Sequence, residues 1–186
     1  MELIKRNIHM DCIKCKAQTQ MTLEDDVIIS DSRPDAAKLI MDRGNVVIDE
    51  VKVTDDHVGV KGKLVFHVLY LTEKGASASG GSDVAEMEGD IPFDEMVFME
   101  GIRGGDSVNV NWELEDLSVG LINSRKLSVQ SVMTLFLTCE EICDEETAVD
   151  LYSEEPVEFR KKTLDVASMA IKKKDIFRVK EEVEIP

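Results

Sequence analysis

The chain has 186 residues and a formal net charge of −16, from 38 acidic against 22 basic residues. That length is enough for an ordinary domain whose core needs no disulfides. The acidity excludes nucleic acid as the expected partner, because phosphate recognition is dominated by basic contacts, and it disfavours adhesion to an anionic membrane.

The N-terminal sixteen residues, MELIKRNIHMDCIKCK, place Lys5, Arg6 and Asp11 where a signal peptide needs an apolar run. No membrane insertion is expected, and a reducing cytoplasm is the expected compartment, with the four cysteines unpaired. The first thirty residues read as extended, with Met21, Leu23, Val27 and Ile29 on one parity. DSRPDAAKLIMDRG then predicts one short helix around Asp35–Met41. Asp31 or Ser32 would cap it, Pro34 would sit in its first turn, Gly44 would end it, and Ala37, Ile40 and Met41 would form its apolar stripe.

Strands follow. Val47, Val51 and Val53 predict one face of the first, and Asp55–Asp56 predict a hairpin turn. In the next, Val58, Val60, Leu64, Phe66, Val68 and Tyr70 point one way, with Lys61, Lys63 and His67 on the other face. Residues 72–83 are rich in Gly and Ser and predict a flexible loop, after which a strand from Val84 to Phe93 pairs back. EMVFMEGIRGGD is expected to connect this strand to the next.

Val108, Val110, Trp112 and Leu114 are even, whereas Leu117, Val119 and Leu121 are odd. A period-two strand changes parity only by an extra residue, which predicts a β-bulge near Glu115–Asp116. After a turn at Asn123–Ser124, Leu127, Val129, Met133, Leu135, Leu137 and Cys139 keep step on a return strand. The acidic residues beyond it are loosely patterned, and Thr163 to Pro186 predict two more strands divided around Lys174–Asp175. LEDDVIIS (Leu23–Ser30) and VKEEVEIP (Val179–Pro186) align without gaps, so residues 174–186 read as a linker or the first strand of a following repeat, and 1–173 as one β domain. The expected fold class is all-β with one short helix, an antiparallel sandwich or partly closed barrel of long strands.

No catalytic constellation emerges. His9, His57 and His67 are scattered, no nucleophile elbow or phosphate loop is present, and Gly101, Gly104 and Gly105 read as turns. The chain is expected to be no enzyme and to need no cofactor. Cys12, Cys15, Cys139 and Cys143 form C-x-x-C and C-x-x-x-C pairs, and a structural zinc domain using these four thiolates is the alternative reading. A carbohydrate-binding sandwich is disfavoured by the scarcity of aromatic platforms, with one Trp and two Tyr. Phe93, Met96, Phe98, Met99 and Ile102 crowd ten residues and are candidate partner contacts, Met being adaptable in such surfaces. Phe177, Val179 and Val183 of the terminal segment are further candidates for pairing with another strand.

The run VVIDEVKVTDDHVGVKGKLVFHVLYL, the IPF segment and the polar turn INSRKL before a second long strand resemble the SPOCS domain of spore-coat assembly proteins of spore-forming Firmicutes. RPDAAKLIMDRGNVVI resembles the family's Pro-Asp helix and following Val-rich strand, and the resemblance covers roughly Glu24 to Leu137. It implies a non-enzymatic scaffold in coat assembly, in the mother-cell cytoplasm at the forespore surface. The partners it implies are coat morphogenetic proteins such as the coat ATPase, or further copies joined through edge strands. Family members often repeat the SPOCS unit and add a LysM module. This sequence shows no LysM-like segment, so peptidoglycan binding is not expected of these residues.

Overall fold

In the computed structural model, described here for residues 1–73, 83–171 and 179–180, six antiparallel strands account for nearly all regular structure. They are β1 (Glu2–Ile28), β2 (Ala36–Thr54), β3 (His57–Thr72), β4 (Val84–Phe98), β5 (Val108–Asn123) and β6 (Lys126–Tyr152). They form two three-stranded sheets, ordered β1-β6-β5 and β2-β3-β4. The chain divides into two compact units, one of Met1–Cys12 with Glu141–Pro186, the other Ile13–Glu140.

The larger unit is a β-sandwich, as the alternation predicts. Its central strands, β3 and β6, each bury one full row. Val58, Val60, Leu64, Phe66, Val68 and Tyr70 form the first, and Leu127, Val129, Met133, Leu135, Leu137 and Cys139 the second. Each large apolar side chain so buried contributes about 1.5–3 kcal/mol, enough to fix which face of every paired strand turns inward. The sheets approach closely where β2 crosses β5. A Cβ on Gly44 would meet Leu114 Cδ2 at 2.7 Å and Leu117 Cδ2 at 3.0 Å. Gly44 therefore ends no helix but lies within a strand, facing the opposite sheet.

The β5–β6 pairing carries the expected bulge. Leu114 pairs with Met133 and Asp116 with Val132, leaving Glu115 as the extra residue. The Asp55–Asp56 hairpin is also present, with Thr54 opposite His57 and Asp56 at φ 58°. The turn before β6 falls at Ser124–Arg125, one residue later than its composition indicates. β4 runs five residues past Phe93, to Phe98.

The helix expected around Asp35–Met41 is not formed; Ala36 begins β2. Its capping residues are taken by other partners. Arg125 donates to Asp35 Oδ1 and Asp31 Oδ1, both at 2.6 Å, and to the Arg33 carbonyl at 3.1 Å. The Tyr70 hydroxyl donates to the Pro34 carbonyl at 3.1 Å. Residues 30–35 thus serve as the link from one sheet to the other, and pairing with the long β3 overrides the local helical pattern.

β2 accommodates its sequence by bulging. Its 19 residues oppose the 16 of β3, leaving three extras, Ala37, Ile40 and Asp49. The bulge at Asp49 corrects the expected valine face. Val51 and Val53 pair with inward-facing Val60 and Val58, but Val47 lies opposite Lys63 on the outer face. Val46, opposite Leu64, takes the buried place.

In the smaller unit, residues from β1 and β6 carry the ion pairs Lys5–Glu146 (2.8 Å) and His9–Asp144. Residues 153–171 follow without regular structure, contrary to the strand expected from Thr163. One backbone bond, from the Met169 amide to the His9 carbonyl at 2.9 Å, ties them to β1. The rest of that prediction, around Lys174–Asp175, lies outside the described residues, as do the loop at 74–82 and most of the aligned VKEEVEIP segment.

Candidate interaction surfaces

The Phe/Met segment divides according to the strand period. Residues of β4 opposite the inward row of β3 enter the core, so Phe93 (opposite Gly62) and Val97 (opposite Val58) are buried. Met99 and Ile102, just beyond the strand, are buried too, each 1% exposed. Met96 and Phe98 fall on the other parity and stand in solvent at 63% and 62% exposure. The dense run of large side chains therefore separates into core and surface residues, and only Met96 and Phe98 of these five candidates are available to a partner.

The surface around them is built by the hairpin end of β2-β3-β4. Met96 lies opposite Gly59, whose missing side chain leaves the thioether over bare backbone. Phe98 meets His57 edge to face, with ring centroids 5.5 Å apart. Lys61 bonds Asp94 at 2.9 Å beside them, and that carboxylate raises the lysine pKa through the hydrogen bond and its charge. The patch is a small apolar surface with a charged border.

Its footing is held from below. Asp56 Oδ1 accepts the Gly101 amide at 2.9 Å and Asp55 Oδ1 the Gly104 amide at 3.1 Å, while the Asp56 amide and carbonyl bond to Ile102 and Met99. Gly101 takes φ 82°, a conformation that costs it nothing for want of a Cβ. Asp106 then accepts Lys14 Nζ at 2.6 Å and the Arg103 amide at 2.9 Å, and these bonds, the lysine's first, hold its carboxyl below the ordinary range. The connector between β4 and β5 is an anchored loop rather than a free contact surface.

The terminal candidates remain largely unplaced. Val179 is 87% exposed, and Phe177 and Val183 lie outside the described residues.

The cysteines depart from the expectation that all four stay unpaired. Cys12 and Cys143 form a disulfide, with Cα atoms 6.1 Å apart and a sequence separation of 131. Two strands lying side by side bring together residues that no spacing rule connects. Cys15 and Cys139 are free. Burial, and after it the neighbouring Cys15, push the Cys139 thiol upward, so it stays protonated and poorly nucleophilic at neutral pH. A tetrahedral zinc site needs all four as thiolates, and two are committed to a sulfur–sulfur bond. Among the described residues no group of three or more His, Cys, Asp or Glu side chains gathers in ligating geometry. Likewise among these residues, no helix is long and apolar enough to cross a membrane.

Residues 35–122 match the family model described as SipL, SPOCS domain. The matched stretch spans β2 through β5, nearly to the end of β5. No curated protein and no solved structure matches the chain. The family match supports a sporulation-related role in protein interaction.

Proposed function

We propose that this chain is a non-enzymatic scaffold of the bacterial spore coat, acting in the mother-cell cytoplasm at the forespore surface. It binds other coat morphogenetic proteins, the coat ATPase among them, and associates with further copies through strand edges. The observation that carries this reading is the SPOCS match over β2–β5. The exposed Met96 and Phe98, on a strand whose inward row is anchored in the core, supply a contact surface that substitution can remove without unfolding the domain.

The test is made in sporulating cells with the tagged full-length protein. The wild type is expected to ring the forespore and to co-purify with coat proteins. The M96S/F98S variant, with an unchanged melting transition in vitro, is expected to lose part of that capture. A protein that stays diffuse throughout sporulation and captures no coat component overturns the proposal.

A further inference from the structure

A three-stranded sheet exposes the backbone of its two outer strands, and natural proteins blunt such edges with bulges, proline or charge. Among the described residues three of the four sheet edges are blunted. β2 carries the extra residues Ala37, Ile40 and Asp49, β5 carries register shifts at Glu115 and Ile122, and β4 contains Pro92. The fourth edge, β1, is different. From Cys15 to Glu24 its exposure alternates without a break, and that stretch contains neither proline nor glycine. The outward row is Lys16, Gln18, Gln20, Thr22 and Glu24, with one charge of each sign at its ends. The inward row is Ala17, Thr19, Met21 and Leu23, only half covered by the core. Among the described residues Lys16 has no ion-pair partner, while within its own sheet Glu24 accepts Gln130 Nε2 at 2.8 Å and Gln20 donates to Glu115 Oε2 at 2.8 Å.

The geometry points to a second copy of this chain as the occupant of that edge, paired antiparallel to β1 about a two-fold axis at Gln20. In that register Lys16 faces the partner's Glu24, Gln18 the partner's Thr22, and Gln20 the partner's Gln20. On the inner side Ala17 meets the partner's Leu23 and Thr19 the partner's Met21, which continues the apolar row from one sandwich to the next. The interface is isologous, so the Lys–Glu match occurs twice, and the two β1-β6-β5 sheets become one sheet of six strands. This rests on the reading of the chain as an interaction module and specifies which edge it uses on itself.

Charge exchange tests it on the full chain by sedimentation velocity across a concentration series. Wild type is expected to dimerise. K16E and E24K each place like charges opposite one another twice and are expected to weaken the dimer by roughly tenfold. The K16E/E24K double variant is expected to recover wild-type affinity. A mixture of the two single variants is also expected to form heterodimers at that affinity, because each chain then meets its complement. A disulfide between two Q20C chains, identified by mass spectrometry, would place the axis, since directly opposed residues lie within reach of a disulfide. A wild type that stays monomeric overturns the proposal, as do single variants that dimerise unchanged, a mixture no tighter than its components, or cross-linking through T19C or M21C in place of Q20C. Forespore localisation is scored separately. Localised but monomeric protein removes the pairing and leaves the scaffold role, whereas a charge-dependent dimer that never localises does the reverse.

Discussion

Replacing Gly89 with alanine should destabilise the sandwich through a single buried ring. Gly89 of β4 lies directly opposite Phe66 of β3, and the fully buried phenyl ring fills the space that a side chain would occupy. A Cβ there would meet Phe66 Cζ far inside van der Waals contact, with Cε1 at 2.9 Å and Cε2 at 3.0 Å. The same arrangement recurs in mirror image four residues along, where Phe93 of β4 covers Gly62 of β3 with Cζ 2.7 Å from the virtual Cβ. Packing an aromatic ring across a strand glycine restores the contact the glycine lacks, so each pair is matched in volume. Overfilling such a site costs about 1–3 kcal/mol. With a urea m-value of about 1–3 kcal/mol/M for a domain of this size, the midpoint should fall by roughly 1 M. Trp112, the single tryptophan, lies in β5 of the same unit and reports its unfolding by fluorescence. F66L alone should also destabilise, but in combination with G89A the loss should be smaller than the sum, with a coupling of about 0.5–3 kcal/mol. G62A should be worse than G89A, because its Cβ also meets the Val47 carbonyl, a backbone atom held in the β2–β3 ladder. A neutral G89A, or strictly additive costs with F66L, would refute the argument that the ring occupies the glycine's place.

Three other outcomes follow from the structure. Ser131 is 1% exposed and its hydroxyl finds no partner among the described residues, so S131A should leave thermal stability unchanged or raise it slightly, and a marked loss in calorimetry would mean that the hydroxyl is bonded. Asp106 and Glu115 have lowered pKa values, the first chiefly from Lys14 and the second from hydrogen bonds with Thr134 and Gln20. Their contribution is complete above the ordinary carboxylate pKa and is lost as pH falls through the lowered values, so acid unfolding should set in below about pH 4. The D106N variant should show a flatter stability profile there, which urea titrations at stepped pH would measure. Thiol titration of the oxidised, denatured protein should count two free cysteines, rising to four after reduction, and four before reduction would exclude the Cys12–Cys143 bond.

Much of the sandwich is legible in its alternation. The inward rows of β3 and β6 follow from period two alone, because a strand with one dry face has no other way to place Val58 through Tyr70 or Leu127 through Cys139. The Asp55–Asp56 turn and the bulge at Glu115 are equally local, the latter written as a change of parity between Leu114 and Leu117. The candidate contact surface was half legible. Period two separates Met96 and Phe98 from Phe93 once β4 is known to reach Phe98, but the burial of Met99 and Ile102 depends on Asp55 and Asp56 drawing the following loop onto the sandwich.

What the tertiary structure alone decided is which segments become neighbours. DSRPDAAKLIMDRG satisfies every local rule for a capped helix, yet it forms a link and a bulged strand because Arg125, Tyr70 and the long β3 offer its polar groups and backbone better partners. Val47 exchanges places with Val46 because Asp49 bulges against a neighbour that a single strand does not announce. Cys12 joins Cys143 across 131 residues for the same reason. Periodicity reports how one strand divides between core and water; pairing is set by the free energy of the assembled sheet, and no short window of residues contains it.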